Sequence, residues 1–398
     1  MPGPVPVDEA PVTFDPPTSP HLGAAGGGPG TVGLDGLLEH LCHSNGSDLH
    51  LKAGARPRIR VHGHLEVTSF PQLTAEDMTS IAAAVLPEDR AEEFARTNEA
   101  DVGFAVGGLG RFRVNVYRQR STVAMVLRRV PSVIPGFGQL GVPPIVELLA
   151  GEARGLVLVT GPTGSGKTTT AAAMIDHINR TRAVNVVTIE DPIEFVFDDG
   201  RAIVNQREIG GGTGGFAEAM RRVLRQDPDV IFIGEMRDPD TVKAALSAAE
   251  TGHLVLSTLH TADTVETVNR IIDFFPPSQH RQVRLSLATS LRGVISQRLL
   301  ERADGAGRVP AVEVLVNTGR IADRIIEPEG GGDTIHEIVA DGGFYGMQSF
   351  DQSLFGLFRD GLVSLRDTLA AATSPHDLGL ALQRAGLVPS RTEAGSTR

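Results

Sequence analysis

The stretch GPTGSGKTTT, residues 161–170, restricts what this chain can fold into more than any other. It lies between GLVLVT, a short apolar run of strand character, and TTTAAAMIDHINR, which reads as a helix. Gly161, Gly166, Lys167 and Thr168 fit the spacing G-x-x-x-x-G-K-[ST], and a strand before and a helix after are the context that pattern needs. Glycines let the backbone curl until consecutive N–H groups and the positive end of the helix point at one anion. Lysine usage adds to the case. Only Lys52, Lys167 and Lys243 are lysines among 37 basic residues, and the other 34 are arginines. A compact ammonium on a flexible stem can reach between β- and γ-phosphates, where a planar guanidinium is bulkier and differently aimed. Thr168 supplies a hydroxyl to Mg²⁺. The run Gly161, Pro162, Thr163, Gly164, Ser165, Gly166, Lys167, Thr168 and Thr169 is therefore the expected cradle for ATP and Mg²⁺.

A phosphate loop needs a sheet to carry it. From residue 146 onward, the β-rich runs GLVLVT, VNVVTIE, DVIFIG and HLVLSTLH alternate with helical stretches such as PDTVKAALSAAET. That rhythm predicts βα crossovers and a mostly parallel sheet covered on both faces. Arg281–Leu300 and Phe350–Ala371 read as further helices, which gives an ATPase-type domain over 146–378 with a helical C-terminal section. Residues 379–398 read as a flexible tail. GGGTGG and EGGGD read as loops, and the proline- and glycine-rich residues 131–145 as a linker.

Residues 31–130 read as a smaller α+β unit. GSDLHLKAG alternates around Leu49 and Leu51 as a strand does, while TAEDMTSIAAAVLPEDRAEEFART has helical spacing with Thr74 as its cap. In GRFRVNVYRQR, Phe112, Val114 and Val116 fall on one face, with Arg111, Arg113 and Asn115 on the other. That alternation predicts a strand half buried in an antiparallel sheet, its arginine face either solvated or functional.

Residues 1–30 hold neither lysine nor arginine nor a sustained apolar run, so they read as a flexible tail and not as a signal peptide. No apolar stretch approaches the ~20 residues that cross a bilayer. A cytosolic protein is expected, and the single cysteine, Cys42, suits a reducing compartment and excludes a four-cysteine zinc site. The net charge of −11 argues against stable nucleic-acid binding.

Hydrolysis needs more than a cradle. Glu235 follows the apolar run in DVIFIGE, where a carboxylate can hold Mg²⁺ directly or through water, so Thr168 and Glu235 are the candidate metal ligands. Glu190 and Asp191 end VVTIED, and Glu190 can orient and deprotonate the attacking water. Taken singly, such acids also serve as caps or surface charges; three at strand ends in one phosphate-loop domain favour catalysis. His260 follows HLVLSTL at a place suited to sensing a γ-phosphate, whereas His253 suits a local hydrogen bond or a subunit boundary.

Taken in order, GPTGSGKTTT, VTIEDPIEF, RQDPDVIFIGEMRD and TGHLVLSTLHTADT resemble the Walker A, Asp box, Walker B and His box of the secretion and type IV pilus motor ATPases. Within that family the pilus retraction ATPases of twitching motility are most similar, over about Leu34 to Leu378. The resemblance implies a PAS-like N-terminal domain, a RecA-like ATPase core and a homohexamer with ATP between subunits. It implies Glu190 as catalytic carboxylate, Glu235 as Walker B carboxylate and His260 as γ-phosphate contact. Arg113, Arg118, Arg225 and Arg237 match the arginines that act across subunit boundaries. The implied setting is the cytoplasmic face of the inner membrane, reached only through a pilus platform protein. Extension and secretion ATPases of the superfamily carry a larger N-terminal region and a four-cysteine module, which this chain lacks; assembly, secretion or DNA uptake, or a non-hydrolysing scaffold, are the alternatives. One departure stands out. The AIRNLIRE-like stretch here is residues 320–327, with Ala322 in place of the motif's arginine, and its Ile321 and Ile325 spacing predicts that the helix persists.

Overall fold

The computed structural model describes residues 33–61, 63–130, 133–209 and 215–389. The proposed N-terminal tail and the GGGTGG loop lie outside or mostly outside these residues. The chain divides into two compact units at residue 132.

The first unit is a PAS-like α+β domain. Its helices are α1 (Leu34–His43), α2 (Ala75–Val85) and α3 (Glu88–Thr97). Its strands are β1 (Asp48–Lys52), β2 (Arg58–Val61), β3 (His64–Val67), β4 (Glu99–Val106), β5 (Gly110–Gln119) and β6 (Thr122–Arg129). They form one antiparallel sheet in the order β3-β2-β1-β6-β5-β4. Strand alternation sorts the faces: Leu49, Leu51, Phe112, Val114 and Val116 are buried in the core with Leu37, Leu41 and Met78 of the helices. On the other face, Asn115 donates to Glu99 and Asp101 across the β4–β5 pair. The helical stretch after Thr74 is two helices. Thr74 and Asp77 form a reciprocal capping box at the start of α2, and Pro87, which cannot continue a helix, separates α2 from α3.

The second unit opens with α4 (Phe137–Leu140) and α5 (Ile145–Ala150). Ile134, Phe137, Val142 and Ile145 pack on its core, so the segment from 133 to 145 belongs to this unit instead of linking two. Then follow β7 (Gly155–Thr160), α6 (Lys167–Thr181), β8 (Asn185–Glu190), β9 (Ile203–Glu208), α7 (Phe216–Val223), β10 (Val230–Ile233) and α8 (Pro239–Glu250). After them come β11 (Leu254–Leu259), α9 (Thr264–Asp273), α10 (His280–Ser290), β12 (Leu291–Glu301) and β13 (Arg308–Val316). The sheet order is β13-β12-β7-β11-β10-β8-β9, parallel throughout except for β12 with β13. Every residue of β7, β10 and β11 is buried, as a sheet covered on both faces requires.

Three sequence expectations change here. Arg281–Leu300 is not one helix, because α10 stops at Ser290 and Leu291–Glu301 is a strand beside β7. Its buried run Val294 and Ile295 suits either period, and Gly293 settles the matter: a side chain there would meet Leu149 and the Leu315 carbonyl. The C-terminal section is α11 (Gly319–Ile326), α12 (Ile335–Asp341), α13 (Phe350–Arg359), α14 (Leu365–Ala371) and α15 (Pro375–Arg384), so Phe350–Ala371 is two helices broken at Gly361, whose φ is +70°. Residues 379–384 finish α15, and Leu382 is fully buried against Phe350, Leu354 and Val363, so the flexible tail expected over 379–398 does not start at 379; residues 390–398 lie outside the described residues.

Candidate active site

The parallel order brings the C-terminal ends of β7, β8, β10 and β11 to one edge of the sheet, where ligands of open α/β sheets bind. The 161–166 loop leaves β7 at that edge. Gly161 sits at φ +144°, and a Cβ there would lie 2.4 Å from both the Gln297 carbonyl and the Ser165 hydroxyl. Gly166, at φ +88°, is the N-cap of α6, which has no side-chain cap of its own. The Ser165 hydroxyl is buried without a hydrogen-bond partner among the described residues. A tight loop, a helix N-terminus lacking a cap and an unused buried hydroxyl fit a bound phosphate.

Lys167 opens α6, and its ammonium stands 3.4 Å from the Pro162 carbonyl and 3.4 Å from His260 Nδ1. Burial pushes the ammonium below its usual pKa, while Glu235 and Glu194 pull it back. His260 extends the chain of contacts. Its Nδ1 also lies 3.5 Å from the Thr163 hydroxyl, and its Nε2 lies 3.4 Å from Glu235 Oε1. A neutral ring protonated on Nε2 satisfies both sides, accepting from Lys167 and donating to Glu235. Glu235 Oε2 in turn holds Arg237, at 2.7 Å from Nη2 and 2.9 Å from Nε. That bond raises the Arg237 pKa. Two cross-strand bonds fix the end of β10 that carries Glu235: Thr258 Oγ1 donates to Gly234 O at 2.6 Å, and Met236 N donates to Thr258 O at 3.2 Å.

Glu190 ends β8 in a different setting. It is 5% exposed. Oε1 accepts from Thr188 Oγ1 at 2.7 Å and Gln206 Nε2 at 3.1 Å, and Oε2 accepts from Glu194 N at 3.3 Å. Burial pushes its pKa up, and the three donors only partly offset that. A buried carboxyl whose pKa is raised is suited to accepting a proton. The next peptide bond, Asp191–Pro192, is cis.

The remaining site residues fall elsewhere. Arg225 is exposed in the turn after α7, and no side-chain hydrogen bond or ion pair joins it to the Glu235 group. Arg113 and Arg118 lie on β5 of the first unit, with the Arg118 guanidinium 5.2 Å from the Phe94 ring. His253 bonds locally, its Nδ1 3.0 Å from Ala248 O, at the C-terminus of α8. Among the described residues no three His, Cys, Asp or Glu side chains converge as a metal cage. Mg²⁺ asks for less, since it keeps several waters and takes one or two protein oxygens beside phosphates, which Thr168 and Glu235 can supply. Sequence reasoning missed Thr188, Gln206 and Gln297. Thr188 lies two residues before Glu190 on the same strand face, so period-two spacing could have found it; nothing local marks the other two.

A RecA-like sheet with this loop and these strand-end carboxylates defines a P-loop ATPase. Residues 32–342 match the family model described as type II/IV secretion system protein. The Pseudomonas aeruginosa type IV pilus retractation ATPase PilT is 41% identical over 341 residues, 86% of this chain and 98% of that protein. The Neisseria gonorrhoeae twitching motility protein is 44% identical over 308 residues, 77% and 82% of the two chains. The crystal structure of the pilus retraction motor PilT with bound ADP superposes with a TM-score of 0.81 at 44% identity, covering 88% of this chain and 99% of that one. The Legionella pneumophila ATPase DotB gives 0.69 at 28% identity, covering 85% and 95%. The chain belongs to the type II/IV secretion ATPase family, and within it is similar to the type IV pilus retraction ATPases. No helix among the described residues is long and apolar enough to cross a membrane.

Proposed function

We propose that this chain is a Mg²⁺-dependent hexameric motor that hydrolyses ATP to drive type IV pilus retraction and twitching motility. It works at the cytoplasmic face of the inner membrane, held there by a pilus platform protein. The observation that carries the reading is the contact chain Lys167–His260–Glu235–Arg237 at the phosphate loop, with Glu190 buried at the neighbouring strand end.

The residues divide the work. Gly161 to Thr169 hold the phosphates of ATP through backbone N–H groups and Lys167. Thr168 and Glu235 would hold Mg²⁺, which would supply positive charge against the phosphates of ATP. Glu190 orients the attacking water and accepts its proton, a role its raised pKa suits. His260 touches both Lys167 and Glu235, so it registers a change at the γ-phosphate position. Arg113 and Arg118 of a neighbouring subunit, with Arg225 and Arg237, meet the charge that develops in phosphoryl transfer. Hydrolysis at a site shared by two subunits then couples chemistry to domain movement.

Phosphate release by the purified chain, with and without Mg²⁺, tests the enzyme. Deleting the gene in its host and counting surface pili and twitching zones tests the motor. Hyperpiliated cells that no longer twitch are the expected outcome; loss of pili altogether would assign the chain to assembly.

A further inference from the structure

A buried carboxylate outside the contact chain described above points to a second piece of machinery. Glu313 lies on β13 and is 2% exposed. Its Oε1 accepts from both Thr264 N at 2.9 Å and Thr264 Oγ1 at 2.8 Å, and its Oε2 accepts from Phe350 N at 3.4 Å. Thr264 and Phe350 are the first residues of α9 and α13, whose backbone N–H groups have no partner within their own helices. One carboxylate therefore joins two helix N-termini, one beside the His260 loop and one in the C-terminal section.

Both helices are also tied to the phosphate loop by other routes. In α9, Thr267 Oγ1 lies 3.3 Å from Thr160 Oγ1, directly before Gly161, and pairs with Thr261 Oγ1 at 2.7 Å, directly after His260. Thr160 pairs in turn with Ser296 of β12 at 2.7 Å. Further along β12 the Gln297 carbonyl abuts Gly161, and the Arg298 guanidinium lies 3.9 Å from the Phe350 ring centroid while donating to Ala371 O of α14 at 2.6 Å. The two routes meet at Phe350, through its N–H and through its ring.

We infer that Glu313 is a positioning residue that couples the His260 loop to the C-terminal helices α13 and α14, so that nucleotide state is felt there. The inference rests on the reading of His260 as a γ-phosphate contact. Coupling of this kind is reciprocal: a partner that shifts α13 changes nucleotide affinity by the same factor.

Glu313→Gln makes a selective cut. Two Thr264 donors keep the amide oxygen on the α9 side, which turns the NH₂ group toward the Phe350 N–H, donor against donor. Hydrogen exchange of the α13 amides is measured in the whole protein without nucleotide, with ADP and with a non-hydrolysable ATP analogue, beside ATP turnover. In the wild type the analogue slows exchange in both the phosphate loop and α13, whereas ADP, which lacks the γ-phosphate, slows it in the loop alone. In Glu313→Gln the loop response is kept, the α13 response to the analogue is lost, and kcat falls about tenfold while KM stays within about twofold. A folded Glu313→Gln protein with the wild-type α13 response and kcat overturns the proposal, as does a wild type whose α13 ignores the analogue. If Glu313→Gln unfolds, Thr264→Ala, which removes one hydroxyl donor and keeps the backbone N–H, decides in its place: a weakened α13 response supports the coupling and a full response overturns it. A wild type that binds ADP but turns over no ATP would sink the motor reading, and the exchange data would still decide this one.

Discussion

Glu190 ends β8 and Glu235 follows the end of β10 by two residues, at the same edge of adjacent parallel strands, yet their surroundings differ. Glu190 is enclosed by neutral donors, a threonine hydroxyl, a glutamine amide and a backbone N–H, and burial raises its pKa. Glu235 meets charge, with Arg237 on one oxygen and His260 on the other. Neutral donors hold a carboxyl in place without lowering its proton affinity as far as a cation does, which suits a base. A carboxylate already held by a guanidinium and an imidazole suits a metal ligand or an electrostatic support. Neighbouring strand ends thus give two acids different surroundings, and the division of roles proposed for them follows environment and not residue type.

The largest break in that arrangement is Lys167→Ala. It removes the ammonium that faces His260 and the phosphate loop, so nucleotide binding and turnover should both disappear, as read by a fluorescent ATP analogue and by phosphate release. Glu190→Gln comes next. It should keep ATP binding and lower kcat on the order of 10²–10⁴-fold, the usual scale for loss of a general base. Normal turnover in that variant removes Glu190 from the mechanism. Stability should move the other way. The folded-state pKa of Glu190 is raised above its ordinary 4.5, so the folded protein holds that proton more tightly than the unfolded chain does. Wild-type stability therefore declines as pH climbs from the unfolded value to the raised folded value, and Glu190→Gln lacks that decline. Melting temperatures across this window should favour the variant increasingly toward neutral pH.

A subtler change sharpens the comparison. Thr188→Val deletes one of the donors that lower the Glu190 pKa. The pKa should rise further, and because the base acts only when ionised, the acid limb of the kcat profile should move to higher pH. An unmoved limb would mean that another group sets it.

How much of this was legible in the sequence follows from how local each signal is. The phosphate loop, Glu190, Glu235 and His260 could be placed because each adjoins a short apolar strand, and parallel strands deliver their C-terminal ends to one edge. The half-buried β5 was legible from strict alternation at Phe112, Val114 and Val116. Long-range packing was not. Arg281–Leu300 reads as helix until Gly293 meets Leu149 and Leu315 in a strand, and residues 131–145 read as a linker until Phe137 and Ile145 find their core. Gln206 reaches Glu190 from sixteen residues away, across a β8–β9 pairing that no local pattern announces.

Arg237→Ala should have a smaller effect, about tenfold on kcat, by leaving Glu235 with His260 alone. Mixing inactive Lys167→Ala chains with inactive Arg113→Ala chains asks whether the first unit contributes in trans. Recovery of hydrolysis in mixed assemblies is the expected result. No recovery despite demonstrated mixing would remove Arg113 from the neighbour's site.

The smallest expected effect on chemistry lies in α11, where the chain departs from the retraction-type motif. Ile321 and Ile325 are fully buried, so the helix keeps its core face without the missing arginine, and Ala322 packs partly against the same core. Its charges are engaged differently: Arg320 pairs with Asp333, and Arg324 donates to the Gly330 carbonyl and, at 3.1 Å, to that of Gly331, holding the glycine-rich turn after the helix. None of these bonds involves Lys167, His260 or Glu235. Ala322→Arg should therefore leave ATP turnover within about twofold of wild type, because a partly exposed helix position tolerates a long side chain whose stem lies along the apolar surface. The cell is where a difference should register. In a pilus-bearing host lacking its own retraction ATPase, the wild-type chain and Ala322→Arg should hydrolyse ATP alike and differ in pilus number and twitching, because the added guanidinium changes what α11 offers a partner. Equal pilus numbers and equal twitching would show the departure to be silent, and would locate the contact that transmits force elsewhere than α11.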